Sequence, residues 1–573
     1  MSKNLKIITI IIFVGVIFSI FPVFVSAASI GEKVIFFVDP SYDSSARYQI
    51  SATLQKTAPR LYFYIDDVWW NSLDLNKKSE INSALDSVAD EFNSKIYPIL
   101  TNTFGQINDP GIDNDSNVTV LINPMVDEAG GYFNSGDGYS KLQSPKSNER
   151  EMFYLNAKHI EESQAKSFFA HEFMHLITFN QKEILRKVSE EIWLNEVYSE
   201  YVPTLLGYDN IYEGSNLQRR VKIFLEKPND SLTGWQNKSY DYGVLNLFTQ
   251  YLVDQYGLKI LVDSIHSSKI GISSINEALA KNNFKEDFSQ VFTDWTIAVL
   301  VNNCNLNPRY CYLNQSLKNI RVTPLINFLP LVGESSLSII HRTSDWAGNW
   351  QKIIGGKGDL TLEFSGAGDV QFEIPYLVCD YQGICNIKFM DLNKSIGKIT
   401  IADFNDKYAS LTIIPSIQTK ISRFDGTESF YLFSWKATIT DKTTEEQEEE
   451  LITQLLARIE SLQKEIAKIQ ALIAQRQGGS IPTSIPAGFR FEENLSEGTT
   501  DADVVYLKIV LAKEGLVNGL KNNEYFGSQT KAAVIRFQER YKNDISAAAG
   551  YTISASGFVG TGTRAKLNEA LLR

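Results

Sequence analysis

Histidine is scarce in this sequence, with five among 573 residues, and cysteine is scarcer still, with four. Basic charge is also in deficit: 55 Lys and Arg stand against 67 Asp and Glu, a formal net charge of −12. That balance excludes binding along a phosphate backbone, which needs a basic surface to neutralise it, so nucleic acid is not expected as a partner. Four cysteines are too few for a small disulfide-dense scaffold. Neither neighbouring pair has C-x-x-C spacing, which excludes a cysteine zinc clamp or a dithiol redox motif. Cys304 lies near Cys311 and Cys379 near Cys385, so two local disulfides, acting as staples, are the simplest of the three possible pairings. Long apolar runs are missing after residue 27, and no later segment is apolar enough to cross a bilayer.

The one long apolar run is N-terminal. Lys3 and Lys6 precede residues 7–25, which are apolar apart from Thr9, Gly15, Ser19 and Pro22. Val25-Ser26-Ala27 then offers the small residues of a cleavage site, so 1–27 reads as a signal peptide. The same run is long enough to remain as a membrane anchor. Either reading puts the rest of the chain outside the cytoplasm, secreted or associated with the cell envelope.

A chain this long should hold several domains. Residues 28–320 read as an α+β domain. Strands are expected at 34–38, 61–65, 118–122 and 152–155, a helix at 78–97, and mostly helix from 165 onward. Between 335 and 440 short strands, at 360–364, 399–401 and 411–414, alternate with Gly and Asp turns, the pattern of a β-sandwich accessory domain. Residues 443–477 carry Ile452, Leu455, Ile459, Leu462, Ile466, Ile469 and Ile473 in alternating steps of three and four. This pattern suits a short coiled-coil helix that pairs two copies of the chain in a homodimer. It equally suits a helical stalk or a helix packed on its own chain. Residues 478–488 form a Gly/Ser/Pro linker, and 489–573 a last small helical domain.

Two of the five histidines stand four apart in His171-Glu172-Phe173-Met174-His175. Residues i and i+4 share one face of a helix, and 165–177 contains no Gly or Pro to break one. Two imidazoles so placed can take two corners of a zinc tetrahedron, with Glu172 beside the metal as general base. A third protein ligand is needed, and Ile192-Trp193-Leu194-Asn195-Glu196-Val197-Tyr198-Ser199-Glu200 supplies carboxylates after an interval long enough for a loop and a returning helix.

H-E-x-x-H followed by W-L-N-E-x-x-S-E resembles the gluzincin metallopeptidases, especially the hyicolysin-type and aminopeptidase-N-like families. The resemblance implies a zincin-like catalytic fold with a helical C-terminal half and a single Zn2+. It makes Glu196 the third ligand and Glu200 the carboxylate that orients the first histidine. Ser239-Tyr240-Asp241-Tyr242-Gly243 is similar to the Y-x-x-G stretch that supplies a transition-state tyrosine there. Aligned so, the donor is Tyr240, with Tyr242 the near alternative and His266 a further one; His159 and His341 read as structural. Aminopeptidases of this group carry a G-x-M-E-N segment whose glutamate holds a free amino terminus. Gly130-Gly131-Tyr132-Phe133-Asn134 has no glutamate, which points to an endopeptidase. Asp113-Asn114-Asp115-Ser116-Asn117 could hold Ca2+, but it lacks the closing bidentate Glu and suits an Asx-rich turn as well.

Residues 495–568 resemble the peptidoglycan-binding module of cell-wall hydrolases, through Asp503-Val504-Val505-Tyr506-Leu507, Tyr525-Phe526-Gly527, Ala533-Val534-Ile535-Arg536-Phe537-Gln538 and Gly557-Phe558-Val559-Gly560. Thr530 is placed to cap a helix, and Tyr506 replaces the glutamine common in that family. The resemblances together imply a secreted zinc endopeptidase acting on protein or peptide and held to a cell-wall polymer by its last domain. A peptidoglycan peptide hydrolase and a non-enzymatic wall-bound adhesin or scaffold are the alternatives.

Overall fold

A computed structural model describes residues 28–368, 370–418, 430–440, 484–517 and 523–572, together with 455–456, 458–459, 461–463 and 465–466. The expected leader at 1–27 lies outside the described residues, as do most of 443–477 and the first part of the linker. The chain divides into two compact units, Met1–Glu448 and Glu449–Arg573.

The first unit opens with a six-stranded sheet of β1 (Lys33–Phe37), β2 (Gln49–Ala58), β3 (Leu61–Asp66), β4 (Val118–Asn123), β5 (Gly131–Tyr132) and β6 (Met152–Asn156), in the order β1-β2-β3-β4-β6-β5. Every residue of β3, β4 and β6 is buried, and these three strands pair in parallel. Strands covered on both faces read as unbroken apolar runs, which is why their sequences announce them. β5 is the edge strand, antiparallel to β6.

Helices α1 (Asp67–Ser72), α2 (Leu75–Glu91) and α3 (Tyr97–Phe104) connect β3 to β4. The Asp74 carboxylate accepts from Lys77 N at 2.8 Å and starts α2, which runs on through a π-helical turn at Phe92–Ile96 into α3. The single helix expected at 78–97 is therefore longer, and is interrupted by one wide turn. Seven helices follow β6: α4 (Ala165–Phe179), α5 (Ile192–Leu205), α6 (Asn216–Glu226), α7 (Ser239–Tyr256), α8 (Lys259–Ile265), α9 (Gly271–Lys281) and α10 (Phe288–Val301). They share one apolar core with β3, β4 and β6.

The β-rich part comprises β7 (Leu325–Leu329), β8 (Ser335–Ser344), β9 (Gln351–Gly355), β10 (Gly358–Gly366), β11 (Phe372–Glu373), β12 (Pro375–Cys379), β13 (Cys385–Phe389), β14 (Leu392–Asn393), β15 (Ile396–Phe404), β16 (Ser410–Ile413), β17 (Ser416–Ile417) and β18 (Phe430–Thr440). Two five-stranded sheets, β14-β15-β10-β18-β8 and β13-β12-β16-β9-β7, enclose a common core that includes Ile353, Leu362, Ile413 and Trp435. β7 begins at Leu325, ahead of the boundary expected at 335, and pairs in parallel with β9. Disulfides join Cys304 to Cys311 and Cys379 to Cys385, the latter across the β12–β13 hairpin. This part is stitched to the helices: Trp350 Nε1 donates to Thr296 O at 2.9 Å and Gln418 Nε2 to Thr293 Oγ1 at 2.6 Å.

The second unit contains helices Ala502–Lys513, Ser528–Arg540, Lys542–Ala549 and Thr561–Ala570 around Leu507, Phe526, Val534 and Phe537. Thr530 does not cap: Gly527 occupies the N-cap and Thr530 is buried within the first turn. Tyr506 rests on the Phe489 ring, centroids 4.5 Å apart, a packing role that accounts for an aromatic at that position. The described residues between 455 and 466 are helical, and Ile459, Leu462 and Ile466 are exposed there. Among the described residues no helix is long and apolar enough to cross a membrane.

Candidate metal centre

The sequence of α4, A-K-S-F-F-A-H-E-F-M-H-L-I-T-F, is apolar on almost every side, so the helix is buried nearly all round. Phe169 meets Phe153 and Phe92 edge-on, at 4.9 and 5.4 Å, and Phe173 meets Phe92 at 4.9 Å. These contacts fix the rotation of the helix and leave His171, Glu172 and His175 facing a cleft of about 370 Å³. α5 returns alongside α4, anchored by buried Trp193, Leu194 and Val197, and carries Glu196 to the same point.

One ligand atom from each of His171, His175 and Glu196 falls within 4.8 Å of the others. His171 Nε2 is 3.2 Å from Glu196 Oε2 and His175 Nε2 is 3.6 Å from Glu196 Oε1. Glu196 Oε2 is nonetheless buried without a hydrogen-bond partner. Nitrogen and oxygen ligands about 2.0–2.2 Å from a tetrahedral zinc stand roughly 3.3–3.6 Å apart, close to the two His–Glu196 distances. The donor set of two imidazoles and a carboxylate also suits zinc. These residues fit the metal.

The outward ring nitrogens are held in place. His175 Nδ1 lies 3.1 Å from Asn195 Oδ1 and 3.2 Å from Ser199 Oγ. His171 Nδ1 faces Glu200 Oε1 at 3.7 Å. Glu200 is itself clamped: Arg220 donates Nε to Oε2 at 2.9 Å and Nη2 to Oε1, and Asn246 Nδ2 donates to Oε2 at 3.1 Å. Ligating imidazoles are ordinarily oriented through their second nitrogen in this way.

The buried charges of the cluster act strongly on one another. Burial raises the Glu172 carboxyl to about 8, with Glu196 and Glu200 adding to the effect and His171 opposing it. Burial alone would lower His171, but Glu196, Glu172 and Glu200 surround it and hold it up at about 9. Burial would raise Glu196, yet His175 and His171 keep it below the ordinary carboxylate value. Glu172 Oε2 has no partner, and the Gly131 backbone stands so close that an added Cβ would lie 3.0 Å from Glu172 Cγ. A side chain at Gly131 would collide first with Tyr154 O, at 2.5 Å, and then with the Glu172 side chain.

Tyr240 is not brought to the cleft: its ring lies under Lys227 Nζ at 5.2 Å. Tyr242 lines the cleft instead, with the Arg220 guanidinium 4.5 Å from its ring and Trp235 edge-on at 4.9 Å. Two residues apart on a helix point to nearly opposite sides, so only one of this pair can face the metal ligands. Tyr42, from the loop after β1, lines the cleft as well, stacked on Tyr132 at 4.6 Å, and its hydroxyl accepts from Asn237 Nδ2 at 2.9 Å. Gly131, Tyr132, Phe133 and Asn134 line the cleft with no carboxylate among them.

His159 pairs with Glu162 at 2.7 Å, His266 lines a different cavity, and His341 packs on Phe433 in the β-rich part. Asp113, Asp115 and Asn117 bond one another's backbone at 3.0 Å, and Asp115 Oδ2 accepts from Tyr62, the geometry of successive Asx turns. Arg220, Asn246 and Tyr42 carry no motif that singles them out in the sequence, whereas Ser199 is the serine of the W-L-N-E-x-x-S-E segment. Ser199 alone has a local signal, one helical turn after Asn195.

His171, His175 and Glu196 thus form a buried cluster in a cleft that could hold a metal ion. No family model matches the chain. It is similar to the neutral metalloprotease ShpI of Staphylococcus hyicus, 25% identical over an alignment of 241 residues, with 37% of this chain and 52% of that protein covered. The chain thus spans about half the length of the curated relative it matches. A pre-peptidase C-terminal domain of a Bacillus anthracis collagenase aligns at 9% identity with a TM-score of 0.13, over 20% of this chain and 96% of that one. The likeness to a metalloprotease and the His171, His175 and Glu196 cluster are compatible with zinc.

Proposed function

We propose that this chain is a zinc-dependent endopeptidase of gluzincin type that acts outside the cytoplasm and is held at the cell envelope by its C-terminal helical unit. The observation that carries the reading is the convergence of His171, His175 and Glu196 beside an unpartnered Glu172 carboxylate. When bound, zinc supplies Lewis-acid chemistry, polarising a peptide carbonyl and acidifying a water.

The protein's own groups do the rest. His171 and His175 present Nε2 because Glu200 on one side, and Asn195 and Ser199 on the other, engage Nδ1. Glu172, its Oε2 free of any protein partner, accepts a proton from water there and returns it to the leaving amine nitrogen. The Tyr242 phenol donates to the carbonyl oxygen as charge gathers there. β5, at the sheet edge along the cleft, offers backbone groups to an extended substrate strand. Endopeptidase action follows from the missing carboxylate in the 130–134 stretch, since nothing there would hold a free amino terminus.

The test uses the purified full chain on denatured casein and on purified sacculi, with and without chelator. Chelator-sensitive casein cleavage is expected, with sacculi bound through the C-terminal unit but not solubilised. Solubilised sacculi with intact casein would instead identify a wall-peptide hydrolase, and inactivity of the zinc-loaded protein on both would sink the enzymatic reading.

A further inference from the structure

Beyond His175 the cleft continues. α4 passes into a π-helical turn, Asn180–Ile184, and Thr178, Phe179, Lys182 and Glu183 prolong the lined wall. A π-helical turn holds an extra residue per turn, so sequence neighbours Lys182 and Glu183 both reach the cleft. An aromatic path leads there from the ligands. Phe133 stacks on His175 at 5.9 Å, Phe179 packs on Phe133 at 6.0 Å, and Tyr139 meets Phe179 edge-on at 5.5 Å.

The two charges at the end of this path are treated differently. Lys182 Nζ lies 2.7 Å from Glu190 Oε2 with both side chains almost fully buried, so those charges cancel within the protein. Glu183 is half-buried and has hydroxyl partners: Tyr139 donates to Oε2 at 2.7 Å and Ser189 to Oε1 at 3.3 Å. Among the described residues no cation forms an ion pair with it. The hydroxyls aim the carboxylate without neutralising it.

We propose that Glu183 closes a subsite that takes a basic side chain, lysine or arginine, of the peptide substrate. The proposal rests on the peptidase reading and names the substrate feature that its cleft selects. Glu183 follows His175 by eight residues, about 12 Å along the helix axis, a span that suits a long side chain close to the scissile bond. The aliphatic stem lies along Phe133 and Phe179 while its cation reaches Glu183, the division that lysine and arginine make between apolar body and charged head. An acidic side chain in the same place meets like charge and is rejected.

Quenched-fluorescence peptides differing only by Lys, Gln or Glu, scanned through the positions flanking the cleaved bond, test this on the zinc-loaded full chain. At one position Lys should exceed Gln in kcat/KM by about tenfold to a hundredfold, the range of one charge-assisted contact. Glu183→Gln should collapse that ratio to within about threefold, and Glu183→Lys should reverse it in favour of Glu. Glu183→Asp, which keeps the charge, should preserve its sign, and matched thermal melts exclude misfolding as the cause. Cleavage with no basic preference, or a preference that survives Glu183→Gln, overturns the subsite and leaves the peptidase reading standing. No cleavage of any peptide by the zinc-loaded protein overturns both.

Discussion

At the scale of single residues the proposed function assigns the cleft three tasks that one assay would confuse. Holding the metal belongs to His171, His175 and Glu196, so Glu196→Ala should lose most bound zinc, measured as metal per chain after desalting; full retention would remove Glu196 from the ligand set. Moving the proton belongs to Glu172, whose Oε2 has no protein partner to lose. Glu172→Gln should therefore keep zinc while kcat/KM on casein-derived peptides falls by about a hundredfold to ten-thousandfold. Stabilising charge on the substrate oxygen belongs to Tyr242. Tyr242→Phe should lower kcat by about a hundredfold to a thousandfold with little change in KM. Tyr240→Phe is the control, since that ring lies under Lys227 away from the cleft, and an equal loss in both variants would refute the assignment.

At the scale of elements, legibility follows locality. α4 and α5 can be read from the sequence because their ligands sit at helical spacing inside buried apolar stretches. β3, β4 and β6 can be read because burial on both faces writes itself as a continuous apolar run. What clamps Glu200 cannot be read so: Arg220 and Asn246 come from α6 and α7, 20 and 46 residues away, and only packing brings them together. Of the α7 tyrosines it is Tyr242 that lines the cleft, since alignment by motif does not fix which side of a helix faces a cleft. The turn between α4 and α5 is another non-local product. Lys182 donates to Ser267 O at 3.2 Å and Lys269 O at 2.8 Å besides pairing with Glu190, so it ties this turn to the loop before α9. Lys182→Met leaves a carboxylate buried without its cation and should cost about 3–5 kcal/mol. Replacing both members of the pair with apolar residues should restore most of that loss; a single variant as stable as wild type in urea would show the pair to be dispensable.

At the scale of the molecule, the helical and β-rich parts of the first unit are joined by a short stretch around Trp346. Ser231 Oγ donates to Asp345 O, Leu232 N to Trp346 O at 2.9 Å, and Trp346 N to Ile417 O at 2.8 Å, while the Trp346 ring packs on Phe288 and Phe292. Asp345 sits in this seam with Oδ1 buried and unpartnered, and burial lifts its carboxyl to about 7. An acid whose folded value lies above its unfolded one binds more protons when folded, so folding weakens as pH rises from about 4 toward 7 and stays weakened above. The seam is therefore least stable where Asp345 is ionised. Asp345→Asn keeps the shape and removes the charge, and should raise Tm at pH 8 by a few degrees, corresponding to about 1–2 kcal/mol once partial solvent screening is allowed for. The advantage should shrink as pH falls from 7 toward 4, where the wild-type carboxyl in the folded protein is already neutral. Differential scanning calorimetry at both ends of that window decides it: an equal shift at every pH, or a variant less stable at pH 8, would show that the seam tolerates the ionised carboxylate.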